Sequence, residues 1–192
     1  MPGARPRTDV SRPLPGSLST IAWVEPGDRG RPARQPSPEP SRHLLVVTHS
    51  RGGSTATLYD AAVAAARSVP ADLAVRAKGA FDAGPDDVSW ADGVLLATPA
   101  HFGYMSGALK DFFERVYYPC LDHTVGLPFA LIVKGDTDVD GARTSVERIT
   151  TGLRWRRVLP PLLVVGELRP QDLEDAAELG ATLAAGVAEG LF

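Results

Sequence analysis

The chain reads as an α/β three-layer sandwich: a five-stranded parallel sheet in the order 2-1-3-4-5 with helices on both faces. Three observations predict it. Short, nearly continuous apolar runs recur at 43–48, 73–77, 92–98, 128–134 and 162–166, the pattern of strands covered on both sides. Helical periodicity near 54–67, 106–117, 140–153 and 170–189 alternates with them, which implies parallel βαβ crossovers. Glycine-containing loops follow the first and third strands, and in this strand order a ligand crevice opens beyond the C-termini of those two strands.

The first strand, His43-Leu-Leu-Val-Val-Thr48, runs into His49-Ser-Arg-Gly-Gly-Ser-Thr55 and an Ala-rich helix that ends near Arg67. Two consecutive glycines let backbone amides approach an anion closely, and the loop opens onto a helix N-terminus. Ser50, Ser54 and Thr55 add hydroxyl donors. A phosphomonoester carries about −1.5 to −2 charge at pH 7. The helix end offers only about half a positive charge, so Arg51 is a sensible supplement. Ser50, Arg51, Gly52, Gly53, Ser54 and Thr55 thus form a candidate anion cradle, set against the plainer reading of a Gly-rich turn with a Ser/Thr cap. The loop lacks Gly-x-Gly-x-x-Gly and Gly-Lys-Ser/Thr, so the dinucleotide and nucleoside-triphosphate fingerprints are absent. Thr48-His-Ser50 in place of paired acids counts against a phosphoacceptor domain on the same topology.

The third strand, Asp92-Gly-Val-Leu-Leu-Ala-Thr98, continues into Pro-Ala-His-Phe-Gly-Tyr-Met-Ser-Gly-Ala-Leu-Lys-Asp-Phe-Phe-Glu-Arg115. Leu109, Phe112, Phe113 and Val116 fall at i, i+3, i+4 and i+7, one apolar helical face, with Ser106 as the N-cap. A compact loop held rigidly at both ends in this way can wall a flat ligand.

On Pro99, Phe102, Gly103, Met105, Ser106, Gly107, Leu109 and Lys110, this segment resembles the flavin-contacting motif of the flavodoxin-like NAD(P)H-dependent FMN reductases and quinone oxidoreductases. The resemblance covers roughly residues 43–189 and implies a flavodoxin-like fold. It implies bound FMN, held by the phosphate loop above, by Pro99, Ala100, His101, Phe102 and Gly103, and by backbone groups of Gly135, Asp136 and Thr137 in the loop after the fourth strand. It further implies NAD(P)H as co-substrate, with electrons passing through the flavin to a quinone, another flavin or a similar small acceptor. Because a flavin carries such chemistry itself, no catalytic triad is expected, and the chain shows no Ser/His/Asp set. His101 and Tyr104 lie closest to the expected ring, as auxiliaries or as packing residues. A flavodoxin-type electron carrier, or an FMN-binding module without its own reductase activity, is the alternative, and a shell that has lost its cofactor a third. Relatives of this kind usually form homodimers or homotetramers; Phe102, Phe112, Phe113, Tyr117 and Tyr118 serve core or interface here, with an exposed Tyr117 or Tyr118 indicating a contact surface.

The fourth strand, Leu127-Pro-Phe-Ala-Leu-Ile-Val133, leads into an acidic loop matching the calcium-loop expression D-x-D-x-D-G-x5-E with Asp136, Asp138, Asp140, Gly141 and Glu147. A calcium hand sits between two helices, however, whereas a strand precedes this loop. A strand-to-helix loop with Asp140 as N-cap is the preferred reading, and no metal site is expected. The basic run Arg154-Trp-Arg-Arg157 reads as a solvated helix end with Trp155 packed on the sheet; binding the extra phosphate of NADPH is the alternative. The last helix opens with Pro170 in its first turn and places Leu173, Ala176, Leu179 or Gly180, Leu183 and Val187 on one face.

Residues 1–42 hold nine of the 17 prolines and seven arginines against four acids, and read as a mostly disordered arm, leaving 43–192 as the FMN-binding domain. The arm carries +3, so the remaining 150 residues carry −6 of a total of −3, which argues against nucleic-acid binding by the folded part. Its one apolar patch, Ile21-Ala-Trp-Val24, is too short for a membrane span or a signal-peptide core, and no membrane association is expected. A single cysteine, Cys120, suits a reducing cytoplasm and reads as a packing residue at a helix end.

Overall fold

The computed structural model describes residues 40–49 and 52–192. The arm, with its Ile21–Val24 patch, therefore falls almost wholly outside the described residues, as do Ser50 and Arg51. Strands β1 (Arg42–Thr48), β2 (Leu73–Gly79), β3 (Gly93–His101) and β5 (Pro128–Gly135) pair in parallel in the order β2-β1-β3-β5. Two short strands, β6 (Arg156–Arg157) and β7 (Leu162–Val165), pair in succession with the two ends of β5. The main strands thus follow 2-1-3-4-5, with the fifth position split. Pro160 and Pro161 explain the split, because proline has no N–H to give to β5.

The side chains of the sheet sort by parity. Leu45, Val47, Val94, Leu96, Leu131 and Val133 face helices α3 (Gly107–Cys120) and α4 (Asp140–Gly152). Leu44, Val46, Leu95, Ala97, Ala130 and Ile132 face α1 (Ser54–Ser68) and α5 (Pro170–Ala188). Alternation in a strand sends successive residues to opposite faces, so fully apolar runs are needed when helices cover both. On α5, Ala176, Leu179, Gly180, Leu183 and Val187 are buried as the periodicity predicts. A Cβ on Gly180 would come within 2.2 Å of the Ala62 carbonyl oxygen, so glycine is what lets α5 seat against α1.

Several expectations are corrected. Helix α2 (Pro85–Trp90) is absent from the sequence reading; it is six residues long, Asp87 and Val88 are its buried side chains, and so it has no readable periodicity. The segment after Thr98 is no simple loop: β3 runs on to His101 and turns through Phe102-Gly103 into an antiparallel strand, β4 (Tyr104–Met105). Asp140 is not the N-cap of α4. Val139 takes that place, the Asp138 carboxylate accepts from the Asp140 N–H at 2.9 Å, and Asp140 itself pairs with Arg143. The basic run is not a helix end: α4 stops at Gly152, Arg154 adopts φ 59, and Arg156 and Arg157 form β6. Trp155 does pack as expected, against Phe113 and Phe129, with its Nε1 donating to Thr124 Oγ1 at 2.8 Å. Cys120 is buried at the end of α3, and burial raises its thiol pKa.

Candidate functional site

The C-terminal ends of β1, β3 and β5 open onto one cleft of about 570 Å³, within the ~300–1,000 Å³ of small-molecule sites. Its lining comes from three segments: His49 and Gly52 to Thr55 after β1, Pro99 to His101 at the end of β3, and Lys134 to Asp136 at the end of β5.

The first segment turns a helix N-terminus toward the cleft. Gly53 is the N-cap of α1 at φ 76, ψ −165, a backbone region essentially restricted to glycine, and among the described residues no side chain caps the helix. Gly52 also has positive φ, and a Cβ at either glycine would meet nothing within 4 Å. The cradle is therefore open, with first-turn amides of α1 at its edge. Beneath it, Thr48 ends β1 with a buried Oγ1 that has no hydrogen-bond partner.

The second segment is a stiff hairpin. Its two-residue turn has φ 53 at Phe102 and φ 69 at Gly103, both left-handed, the requirement of a type I′ turn. Thr98 Oγ1 accepts from the Ser106 N–H at 3.0 Å, and Ser106 Oγ accepts from the Leu109 N–H at 3.2 Å, capping α3. The Met105 N–H donates to Ser145 Oγ on α4 at 3.3 Å. Strand, hairpin and two helices are thus joined by buried polar contacts.

The third segment turns on Gly135, whose added Cβ would stand 2.9 Å from the Asp138 carbonyl oxygen and 3.0 Å from Ala100 Cβ. Glycine lets this loop close against the hairpin wall. Lys134 donates from Nζ to Asp136 Oδ1 at 2.6 Å, and that hydrogen bond holds the Asp136 carboxyl below its usual range. Cations take up three of the acidic side chains of the calcium-like match: Asp140 and Glu147 share Arg143, Glu147 also pairs with Arg157, and Asp136 pairs with Lys134. Gly141 has a packing reason of its own, since the Gly103 carbonyl lies against it.

A family model described as NADPH-dependent FMN reductase matches residues 77–158, which include the second and third segments but not the first. A flavodoxin of Aquifex aeolicus is 34% identical over 73 residues, covering 38% of this chain and 39% of its own length. An NAD(P)H dehydrogenase (quinone) of Acidithiobacillus ferrooxidans is 34% identical over 91 residues, covering 38% of this chain and 46% of its own length. A solved flavodoxin from the domain Archaea superposes with a TM-score of 0.65 at 16% identity, over 76% of this chain and 98% of its own. The fold of the chain is flavodoxin-like. It spans less than half the length of the two curated relatives in these matches.

In this flavodoxin-like chain, the cleft brings together Gly52, Gly53, Ser54, Thr55, Pro99, Ala100, His101, Gly135 and Asp136 of the residues singled out from the sequence. Phe102, Gly103 and Thr137 do not line it. Phe102 stands fully exposed at the hairpin tip, Gly103 turns its carbonyl to α4, and Thr137 is exposed on the loop. Tyr104 pairs across the hairpin with His101 and is partly exposed. The arginines of β6 do not line the cleft. They pair with Pro128 and Phe129, six residues before the cleft end of β5 and so roughly 20 Å away at the rise of a strand. Sequence reasoning missed His49 and Lys134. His49 directly continues β1 and its ring meets Phe81 edge-on at 5.7 Å; Lys134 was legible as the one charge in an otherwise apolar strand.

Proposed function

We propose that this chain holds FMN in the cleft and passes electrons from NAD(P)H to a small acceptor such as a quinone or another flavin. The observation that carries the reading is the convergence of an open glycine-capped helix N-terminus and a rigid hairpin wall on one cleft of suitable volume. The family match and the quinone-dehydrogenase relative support the same chemistry.

The residues present fit the group. The open cradle at Gly52 and Gly53 accepts a phosphate, and Ser54 and Thr55 stand at its edge. Pro99, Ala100 and His101 form the side against which a flat ring is oriented, and Gly135 lets the loop after β5 pack directly beside Ala100 on that side. When bound, FMN supplies hydride acceptance and electron release, which no side chain of the chain provides. The protein's task is to fix and shield that group. The exposed Tyr118 fits the assembly into homodimers or homotetramers that relatives of this kind adopt, measurable by light scattering. Among the described residues no helix is long and apolar enough to cross a membrane.

The flavodoxin relative favours a second reading, an electron carrier without its own reductase activity. The visible spectrum of the purified protein with FMN, followed anaerobically on addition of NADH and then NADPH, separates the two. Loss of the yellow absorbance with a pyridine nucleotide alone supports the reductase. Loss only with a partner reductase supports the carrier, and a protein on which FMN shows no binding sinks both.

A further inference from the structure

We propose that Lys134 is an anion-anchoring residue: its ammonium pairs with the phosphate of the bound flavin nucleotide, and Asp136 holds the cation's place until the ligand arrives. This rests on the FMN reading above and adds a residue that neither the motif nor the family match singles out.

Lys134 is the last side chain before Gly135 in a strand whose residues are all buried, and only 10% of it is exposed. Burying an ammonium is costly without a counter-charge. The counter-charge present is Asp136 at 2.6 Å, on a side chain 91% exposed two residues further on. The structural ion cluster of this chain has the opposite form: Asp87, 7% exposed, is the buried member, and its partners Arg76 and Lys78 reach in from the surface. At Lys134 the cation is fixed and the anion is on a loop, able to return to water with little loss because exposed pairs contribute little.

Strand parity shows where the cation lies. Ala130 and Ile132 face α1 and α5, and Lys134 continues that set. On β1, Leu44 and Val46 face the same way, and Thr48, with its unpartnered Oγ1, continues them. The ammonium therefore stands on the α1 side of the sheet and lines the same cleft as the glycine-capped start of that helix. A helix end supplies about half a positive charge against about −1.5 to −2 on a phosphomonoester. About one full charge is left to match; Arg51, the supplement read from the sequence, lies outside the described residues, and Lys134 stands in the cleft to supply it. As a compact point charge, lysine suits phosphate oxygens.

The test compares FMN with riboflavin, which has the same ring and ribityl chain but no phosphate, on wild type, Lys134→Met, Lys134→Arg and Asp136→Asn. Lys134→Met should bind FMN about ten- to a hundredfold more weakly, the scale of one charged hydrogen bond, with riboflavin affinity unchanged. Lys134→Arg should restore most of the loss. Asp136→Asn, which leaves the strand intact, should bind FMN more tightly and riboflavin as before, and this arm stands if Lys134→Met fails to fold. Equal weakening of both flavins by Lys134→Met, or no weakening of either, overturns the assignment, as does unchanged FMN affinity in Asp136→Asn. Wild type that binds riboflavin as well as FMN overturns the phosphate contact while leaving the flavin reading standing; wild type that binds neither overturns both.

Discussion

The carbonyl oxygen of Gly103, at the tip of the β3–β4 hairpin, lies 2.0 Å from where a Cβ on Gly141 would stand in the first turn of α4. The hairpin wall of the cleft and the start of α4 therefore touch backbone to backbone. Gly141→Ala should force the hairpin outward and destabilise the fold by about 1–3 kcal/mol, the scale of overpacking, despite alanine's better helix propensity. Urea unfolding measures the loss, and FMN titration should show weakened binding in the same variant. Gly107→Ala is the matched control: a Cβ there meets nothing within 4 Å, so stability should be unchanged or rise by up to about 1 kcal/mol. Equal behaviour of the two variants would mean that the hairpin yields freely.

Gly53 carries the φ and ψ that only glycine adopts without strain, at the point where α1 meets the cleft. Gly53→Ala should cost about 1–3 kcal/mol of backbone strain or flip the loop. In either case FMN affinity should fall while riboflavin affinity is affected less, because the disturbed part is the anion cradle. Calorimetric titration of both ligands checks this, and a folded variant with wild-type FMN affinity would displace the cradle from these glycines.

Ser106 caps α3 through Leu109 and is itself tied to Thr98 at the end of the core part of β3. Ser106→Ala removes the side-chain acceptor but leaves the backbone link. Its expected cost is about 1 kcal/mol in denaturant unfolding, with little change in flavin affinity.

Asp87 gives the fold an acid-sensitive element. Burial opposes its ionisation, but hydrogen bonds from Lys78, from the Gly84 N–H and from Arg76 prevail and lower its pKa from 3.8. Between that value and the lower folded value, the unfolded chain binds more protons, so stability rises with pH. The contribution is fully present above pH 3.8 and is lost as pH falls through the folded value. Thermal unfolding at a series of pH values from 5 downward should show a shallower acid limb in Asp87→Asn than in wild type. Parallel limbs would assign the acid sensitivity to other carboxylates.

The chain's sequence determined the strand sequence, the crossovers, the Ser106 cap and the three segments that meet at the cleft. Apolar runs, helical periodicity and glycine placement are local features, and each remains legible without knowing what it packs against. Helix α2 escaped because six residues carry too little periodicity, and β6 because two arginines beside a tryptophan resemble a helix end. What only the tertiary structure decided depends on register between segments far apart in the chain. The need for glycine at 141 comes from Gly103, 38 residues earlier, and the same glycine fits a calcium-loop pattern until that contact is seen. The side of the sheet taken by Lys134 follows from its position in β5 relative to Ile132. Such facts arise because packing couples backbone groups and charges that the order of residues leaves unrelated.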